Sequence, residues 1–427
     1  VLVVAGGRVV DPAQDLDEVA DVFIEDGLVV GIGHEEAPGN ASVLDARGLI
    51  VTPGLIDIHV HLREPGREDE ETIETGCLAA AHGGFTAVAC MPNTSPPLAD
   101  RSGVEYVIAK ARESGKARVL PIGAITTDRA GRELADIGDL LDAGAVAVSD
   151  DGSPVSDAHL MRRALEYCRA FGVPVIDHCE DLSLSSGGVM HEGVVSTQLG
   201  LAPIPAAAEE VMVARDIILA RLTGGRLHVA HVSTAGSVGL IRRAKDEGLR
   251  VTAEATPHHL VLCDEDVVGF DPNTKVNPPL RSAADREAVR EAVRDGTIEA
   301  IASDHAPHSP EEKLVEYDKA AFGLIGLETT LGLVLTELVH TGVLDLCVAL
   351  ERLSLGPARI IGCEGGSLTK GAPADLTLLA LEEEWGVNPN DFLSKSRNCP
   401  FAGRTLRGRA VKTILGGRVV ELSPERS

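Results

Sequence analysis

The sequence predicts a (β/α)8 barrel of the TIM type, carrying a small β-sandwich built from both chain ends. Three observations predict this. Between residues 53 and 365, eight short β-branched runs alternate with Ala-rich, charged, helix-compatible stretches. Most of those runs end in His, Asp or Asn. The two chain ends carry matching segments, VAGGRVVD at 4–11 and ILGGRVVE at 414–421.

Residues 1–52 and 366–427 are expected to make the sandwich together. Each Gly-Gly pair reads as a hairpin turn between two β-runs, and VFIEDGLVVGIG and ADLTLLAL supply further strands. Residues 53–365 are expected to make the barrel. Its strands are LIDIHVH, FTAVACMPN, RVLPIGAIT, AVAVSDD, VPVIDHCE, RLHVAHVS, RVTAEATPHH and EAIASDH. Helical stretches such as 102–114, 157–172 and 206–222 lie between them. Eight alternations favour a closed barrel over an open doubly wound sheet. A dinucleotide-binding sheet would need a G-x-G-x-x-G turn after its first strand; HVHLREPG stands there instead.

The charge narrows the function. Sixty-five acids against 39 bases give −26, which repels nucleic acid and anionic membrane surfaces. No segment reaches the ~18 uninterrupted apolar residues of a membrane span. The apolar N-terminus lacks a basic leader and a cleavage pattern, so it reads as a first strand. The eight cysteines are scattered without a C-x-x-C pair and read as reduced core thiols, which points to the cytoplasm.

In this barrel class the chemistry sits at the C-terminal ends of the strands. There the sequence places His59 and His61, Asn93, Asp150 and Asp151, His178, His231 and Asp304. Residues two apart on a strand share a face, so His59 and His61 both enter the barrel mouth. One His at a strand end is usually hydrogen-bonded filler. Four His and one or two Asp at one rim are costly to bury unless a metal takes them. Imidazole and carboxylate without thiolate suit Zn²⁺, with Mn²⁺ or Co²⁺ as substitutes. The number of donors favours two ions, although one would suffice for some of them. His34, His82, His159, His191, His228 and His340 fall in loops or helical stretches and read as structural or solvent-facing. His258 and His259 follow the seventh run and stay open as pocket residues.

Taken together, the motifs resemble those of the dihydroorotases in the amidohydrolase superfamily. DIHVHLREPG (57–66), MPNTSPP (91–97), SDDG (149–152), DHCED (177–181), HVS (231–233), NPPLR (277–281) and SDHAPH (303–308) follow that family's order. Dihydropyrimidinases and allantoinases resemble it too, but they bridge their metals with a carboxylated lysine on strand four. This chain has no lysine between Lys116 and Lys245. Asp150-Asp151 stands at that strand end, as in type I bacterial dihydroorotases.

The resemblance implies His59, His61 and Asp304 on one metal, His178 and His231 on a second, and Asp151 between them. Spacing cannot choose between Asp150 and Asp151; the family pattern places the ligand directly before the Gly. The implied reaction is the reversible cyclisation of N-carbamoyl-L-aspartate to L-dihydroorotate and water, in pyrimidine biosynthesis. Asp304 would carry the proton between the attacking water and the leaving nitrogen. His61, Arg63, Asn93 and His308 would hold the substrate, Arg63 gripping its unreacting carboxylate. Asn277 and the Phe322-Gly323 backbone would contact the ring. The charged stretch 309–321 is expected to be a lid over the substrate. The resemblance also implies a homodimer and association with aspartate transcarbamoylase. Two rivals remain: another cyclic amidohydrolase, and a non-catalytic partner of that transcarbamoylase.

Overall fold

The computed structural model describes residues 1–34, 38, 39 and 41–422. Small parts of the expected terminal segments, at 35–37, 40 and 423–427, lie outside the described residues. Each of the eight expected runs forms one barrel strand. They are β1 (Leu55–Val60), β2 (Phe85–Cys90), β3 (Arg118–Gly123), β4 (Ala147–Ser149), β5 (Pro174–Asp177), β6 (Arg226–Val229), β7 (Val251–Ala255) and β8 (Ala300–Ile301). Their pairing is parallel and sequential from β1 to β8. Beyond β8, His305 closes the ring by bridging to Val60, and its carbonyl accepts from His61 N at 2.8 Å. Asp57 adds a side-chain strut across the same seam, accepting from His59 N and Ser303 N at 3.0 Å each.

Alternation along the strands separates two packing faces. One apolar cluster joins Ile56, Ile58, Ala87, Ala89, Ile122 and Ile176 inside the barrel. A larger one joins Val88, Val119, Val148, Val175 and Leu227 to the helices outside, through Leu165, Ile217, Ile241 and Val289. The helix Ala158–Phe171 shows how sequence sets an element. Asp157 caps it by accepting from His159 N and Leu160 N, worth ~1 kcal/mol. Met161, Ala164, Leu165 and Cys168 form its buried stripe, at helical spacing. Gly172 ends it with φ 73°, a left-handed conformation that favours Gly. Cutting Leu165 to Ala would cost ~2–5 kcal/mol.

Both chain ends enter one eight-stranded sheet. The join is the antiparallel pair of Ile50–Pro53 with Leu376–Gly386. The sheet wraps one core that includes Val4, Val22, Val51, Leu376, Leu378 and Ile414. The two Gly-Gly pairs differ in use. Gly416-Gly417 makes the expected hairpin turn between Thr405–Leu415 and Arg418–Val419. Gly6-Gly7 does not turn; the strand Leu2–Asp11 continues through it with a register shift between Val4 and Gly7. Gly6 has φ 72° and gives its N–H to Asp21 at 2.7 Å, so the pair makes a bulge. Among the described residues no helix is long and apolar enough to cross a membrane. All eight cysteines are free, six of them buried.

Candidate metal centre and substrate cavity

The strand ends bring six donors to one buried point. His59 lies in β1 and His61 just past it; Asp151, His178, His231 and Asp304 follow β4, β5, β6 and β8. Asp151 lies among the imidazoles. Its Oδ1 is 3.3 Å from His59 Nε2 and 3.8 Å from both His178 Nδ1 and His231 Nε2. Its Oδ2 is 3.7 Å from His61 Nε2. Asp304 Oδ1 is 3.0 Å from His61 Nε2 and 3.5 Å from His59 Nε2. Donors sharing a tetrahedral zinc at ~2.0–2.2 Å stand roughly 3.3–3.6 Å apart, and these separations fall around that range. The donors divide into interlocking sets, among them His59–His61–Asp151, His59–His231–Asp304 and Asp151–His178–His231.

Two details fit a cation rather than a hydrogen-bonded cluster. His59 Nε2 and Asp151 Oδ1 are buried without a hydrogen-bond partner, a state polar groups avoid. His178 Nδ1 faces His231 Nε2 at 2.9 Å while its Nε2 gives its proton to Glu180 at 2.9 Å. That tautomer leaves lone pairs turned toward the centre. Burial pushes the Asp151 and Asp304 carboxyls up, but the imidazoles, His59 foremost, outweigh it and hold both below the ordinary carboxylate range.

Asp150 goes elsewhere. Its carboxylate accepts from Ile125 N at 2.8 Å, Thr126 N at 3.1 Å and the Thr126 hydroxyl. The two neighbouring acids therefore have separate jobs, one bracing a loop and one entering the centre. Arg129 clasps the Asp151 carbonyl from behind.

A cavity of about 250 Å³ opens onto this centre. His61, Arg63, Asn93, Asn277, His308, Phe322 and Gly323 all line it. Arg63 Nε donates to Pro307 O at 3.0 Å and pairs with Glu70 at 3.2 Å, while Nη2 is 3.4 Å from His308 Nε2. Asn93 accepts from His61 Nδ1 at 2.8 Å. Asn277 donates to Glu180 at 2.9 Å, and His308 Nε2 to Phe322 O at 2.8 Å. Gly323 has φ 131°, and a Cβ there would lie 2.7 Å from Ala306 Cβ. Arg63, His231 and Asp304 also have positive φ, at 60°, 32° and 46°. Such conformations cost ~1–3 kcal/mol each and persist where the surroundings over-determine them.

Sequence reasoning missed the supports. Glu254 in β7 takes His59 Nδ1 at 2.5 Å and lies 3.2 Å from His228 Nε2. His228 is thus a buried strand residue, not one in a loop or helix as the sequence suggested. An acid inside the apolar run VTAEA was the available signal. Glu70 and Glu180 brace Arg63 and His178. The C-terminal unit reaches in as well. Asn398 Nδ2 donates to Ala306 O at 2.9 Å and Gly323 O at 3.2 Å, and Ser394 Oγ donates to Glu71 at 2.5 Å. His259 bonds Thr256 Oγ1 and Pro278 O. His258 is buried with both ring nitrogens unpartnered, and neither of these two lines the cavity.

Known proteins resemble the chain over nearly its whole length. A family model described as "Dihydro-orotase-like" matches residues 48–237. A dihydroorotase of Pelotomaculum thermopropionicum is 59% identical over 98% of both chains. One of Geobacter metallireducens is 51% identical over 98% of this chain and 99% of that protein. Among solved structures, the L-hydantoinase of Arthrobacter aurescens aligns with TM-score 0.89 and 28% identity over 98% of this chain and 95% of its own. That likeness extends the barrel and its attached sheet to other cyclic-amide hydrolases. With full-length identity at this level and the donor set in place, the chain belongs to the dihydroorotase family of cyclic-amide hydrolases.

Proposed function

We propose that the chain interconverts N-carbamoyl-L-aspartate and L-dihydroorotate, releasing or consuming water, as a step of pyrimidine biosynthesis. The observation that carries this reading is Arg63 on the wall of the cavity that opens onto the His/Asp centre. Hydantoin, dihydrouracil and allantoin offer no carboxylate for it, whereas dihydroorotate does.

His59, His61 and Asp304 would hold one cation and His178 and His231 another, with Asp151 between. Zinc, in two copies or one, suits these donors. Bound there, such cations acidify a water and polarise the amide carbonyl. The chain's own groups do the rest. Arg63, Asn93 and His308 grip the unreacting carboxylate, and the guanidinium fork fixes its plane. Asn277 and the Phe322-Gly323 backbone orient the ring so that its amide carbon faces Asp304. In ring opening, the Asp304 carboxylate takes a proton from the attacking water and delivers it to the ring nitrogen as the C–N bond breaks. In cyclisation it takes the proton from the carbamoyl nitrogen and returns it to the departing oxygen. The same carboxylate thus serves as base and acid in turn.

The free, mostly buried thiols support a reducing compartment, the cytoplasm. The family resemblance extends to a homodimer and to aspartate transcarbamoylase as a docking partner. Size-exclusion chromatography with and without that partner tests both.

The direct test is turnover of dihydroorotate by protein of known metal content. Activity should vanish with a chelator and return with Zn²⁺, and Asp304→Ala should abolish turnover. Hydrolysis of dihydrouracil or allantoin without hydrolysis of dihydroorotate would overturn the reading.

A further inference from the structure

Lys313 ends the short helix Pro310–Lys313 and is 3% exposed. Among the described residues no carboxylate pairs with it. Its Nζ instead lies 2.8 Å from Ala321 O and 2.8 Å from Gly323 O, with Lys275 O at 3.5 Å. The two short contacts bracket Phe322. Gly323 N in turn donates to Lys275 O at 2.8 Å, and Asn277 lies two residues beyond Lys275. One buried amine therefore gathers carbonyls from two segments that both line the cavity.

The chemistry explains why no acid accompanies it. Burial pushes the Lys313 amine down to about 7, helped by Lys275 and opposed by Asp271. The neighbouring Glu312 carboxylate turns to Arg67 and His308 instead. The amine can donate to both carbonyls at 2.8 Å, and when protonated it has a third N–H for Lys275 O. Lys275 itself points across the Phe322 ring, 4.5 Å from its centroid, and donates to Asp318 O at 3.0 Å. The stretch 309–321 is thus fastened from below by Lys313 and by the buried Tyr317, while Leu314 is 79% exposed.

We propose that Lys313 is a positioning residue for this reaction: it locks the Phe322-Gly323 peptide against the Lys275–Asn277 segment, so the ring-contacting wall is complete only while the 309–321 loop is seated. The proposal rests on the reading of Asn277, Phe322 and Gly323 as ring contacts. A methionine would fill the space, leaving Ala321 O without its donor and Gly323 O with Asn398 alone. A glutamine would supply N–H groups again.

The test compares zinc-loaded wild type, Lys313→Met and Lys313→Gln on dihydroorotate, together with amide hydrogen exchange at 321–323. Lys313→Met should raise KM about tenfold, the worth of one buried hydrogen bond, with kcat nearly unchanged and faster exchange at those amides. Lys313→Gln should recover most of both. Unchanged KM and exchange in Lys313→Met, or loss confined to kcat, would overturn the proposal. Should Lys313→Met not fold, Lys313→Arg replaces it. The guanidinium is bulkier than the ammonium it replaces, so its KM should rise above that of Lys313→Gln; equal values would count against the lock. Wild type inactive on dihydroorotate would overturn the activity itself, while the exchange measurement judges Lys313 independently.

Discussion

Glu254 holds His59 by a 2.5 Å contact from Oε1 to Nδ1, and this fixes which nitrogen of His59 faces the centre. With its proton at Nδ1, the ring presents Nε2 to Asp151 and Asp304. Outer carboxylates of this kind orient metal-binding imidazoles and raise their basicity. Glu254→Ala should weaken metal retention ~10–100-fold, with activity partly restored by excess Zn²⁺. An unchanged chelator titration would show that His59 needs no such support.

Arg63 should act on binding more than on turnover. Arg63→Ala should raise KM for dihydroorotate roughly 10–100-fold, the range for losing a charge-assisted contact, with a smaller effect on kcat. Arg63→Lys should recover only part of this, because an ammonium cannot form the planar fork. Full recovery would mean that charge alone suffices.

Loop seating should depend on pH through Lys313. Burial lowers this amine from its ordinary 10.5 to about 7, facing Lys275 and Asp271. The seated state therefore binds fewer protons than the released state between those values. Raising the pH through that interval favours seating, and lowering it toward 7 weakens seating. Protease cleavage at Leu314–Val315, expressed relative to Lys313→Met, should slow between pH 7 and pH 9. A flat ratio would show that Lys313 does not titrate with seating.

The buried thiols should be inert while the protein is folded. Burial pushes Cys77, Cys90, Cys168 and Cys399 up to about 12, leaving almost no thiolate at pH 8. A thiol reagent should reach the two half-buried cysteines, Cys347 and Cys363, first, and all eight only after unfolding. Rapid native labelling of Cys90 would contradict its placement in the core.

The barrel was legible because its two signals are local. β-branched runs fix the strands, and a polar residue must end each run where the strand leaves the core. The convergence of the six His and Asp side chains was legible for the same reason, since they stand at strand ends. The choice between Asp150 and Asp151 was not, since it depends on Thr126, which occupies the Asp150 carboxylate from another loop. Glu254, Glu70 and Lys313 escaped because each acts on a partner distant in sequence or on backbone carbonyls, which leave no side-chain pattern. Gly6-Gly7 was misread for a related reason: Asp21, fifteen residues away, takes the Gly6 N–H and makes a bulge where the sequence suggested a turn.

Asn398 ties the order of synthesis to the order of assembly. Chains emerge from the ribosome N-terminus first, so all six clustered His and Asp side chains have been made once β8 and Asp304 have appeared. The substrate rim at Ala306 and Gly323 must wait for Asn398, and Glu71 for Ser394. The last stretch to emerge therefore completes the substrate rim, not the cluster of strand-end His and Asp.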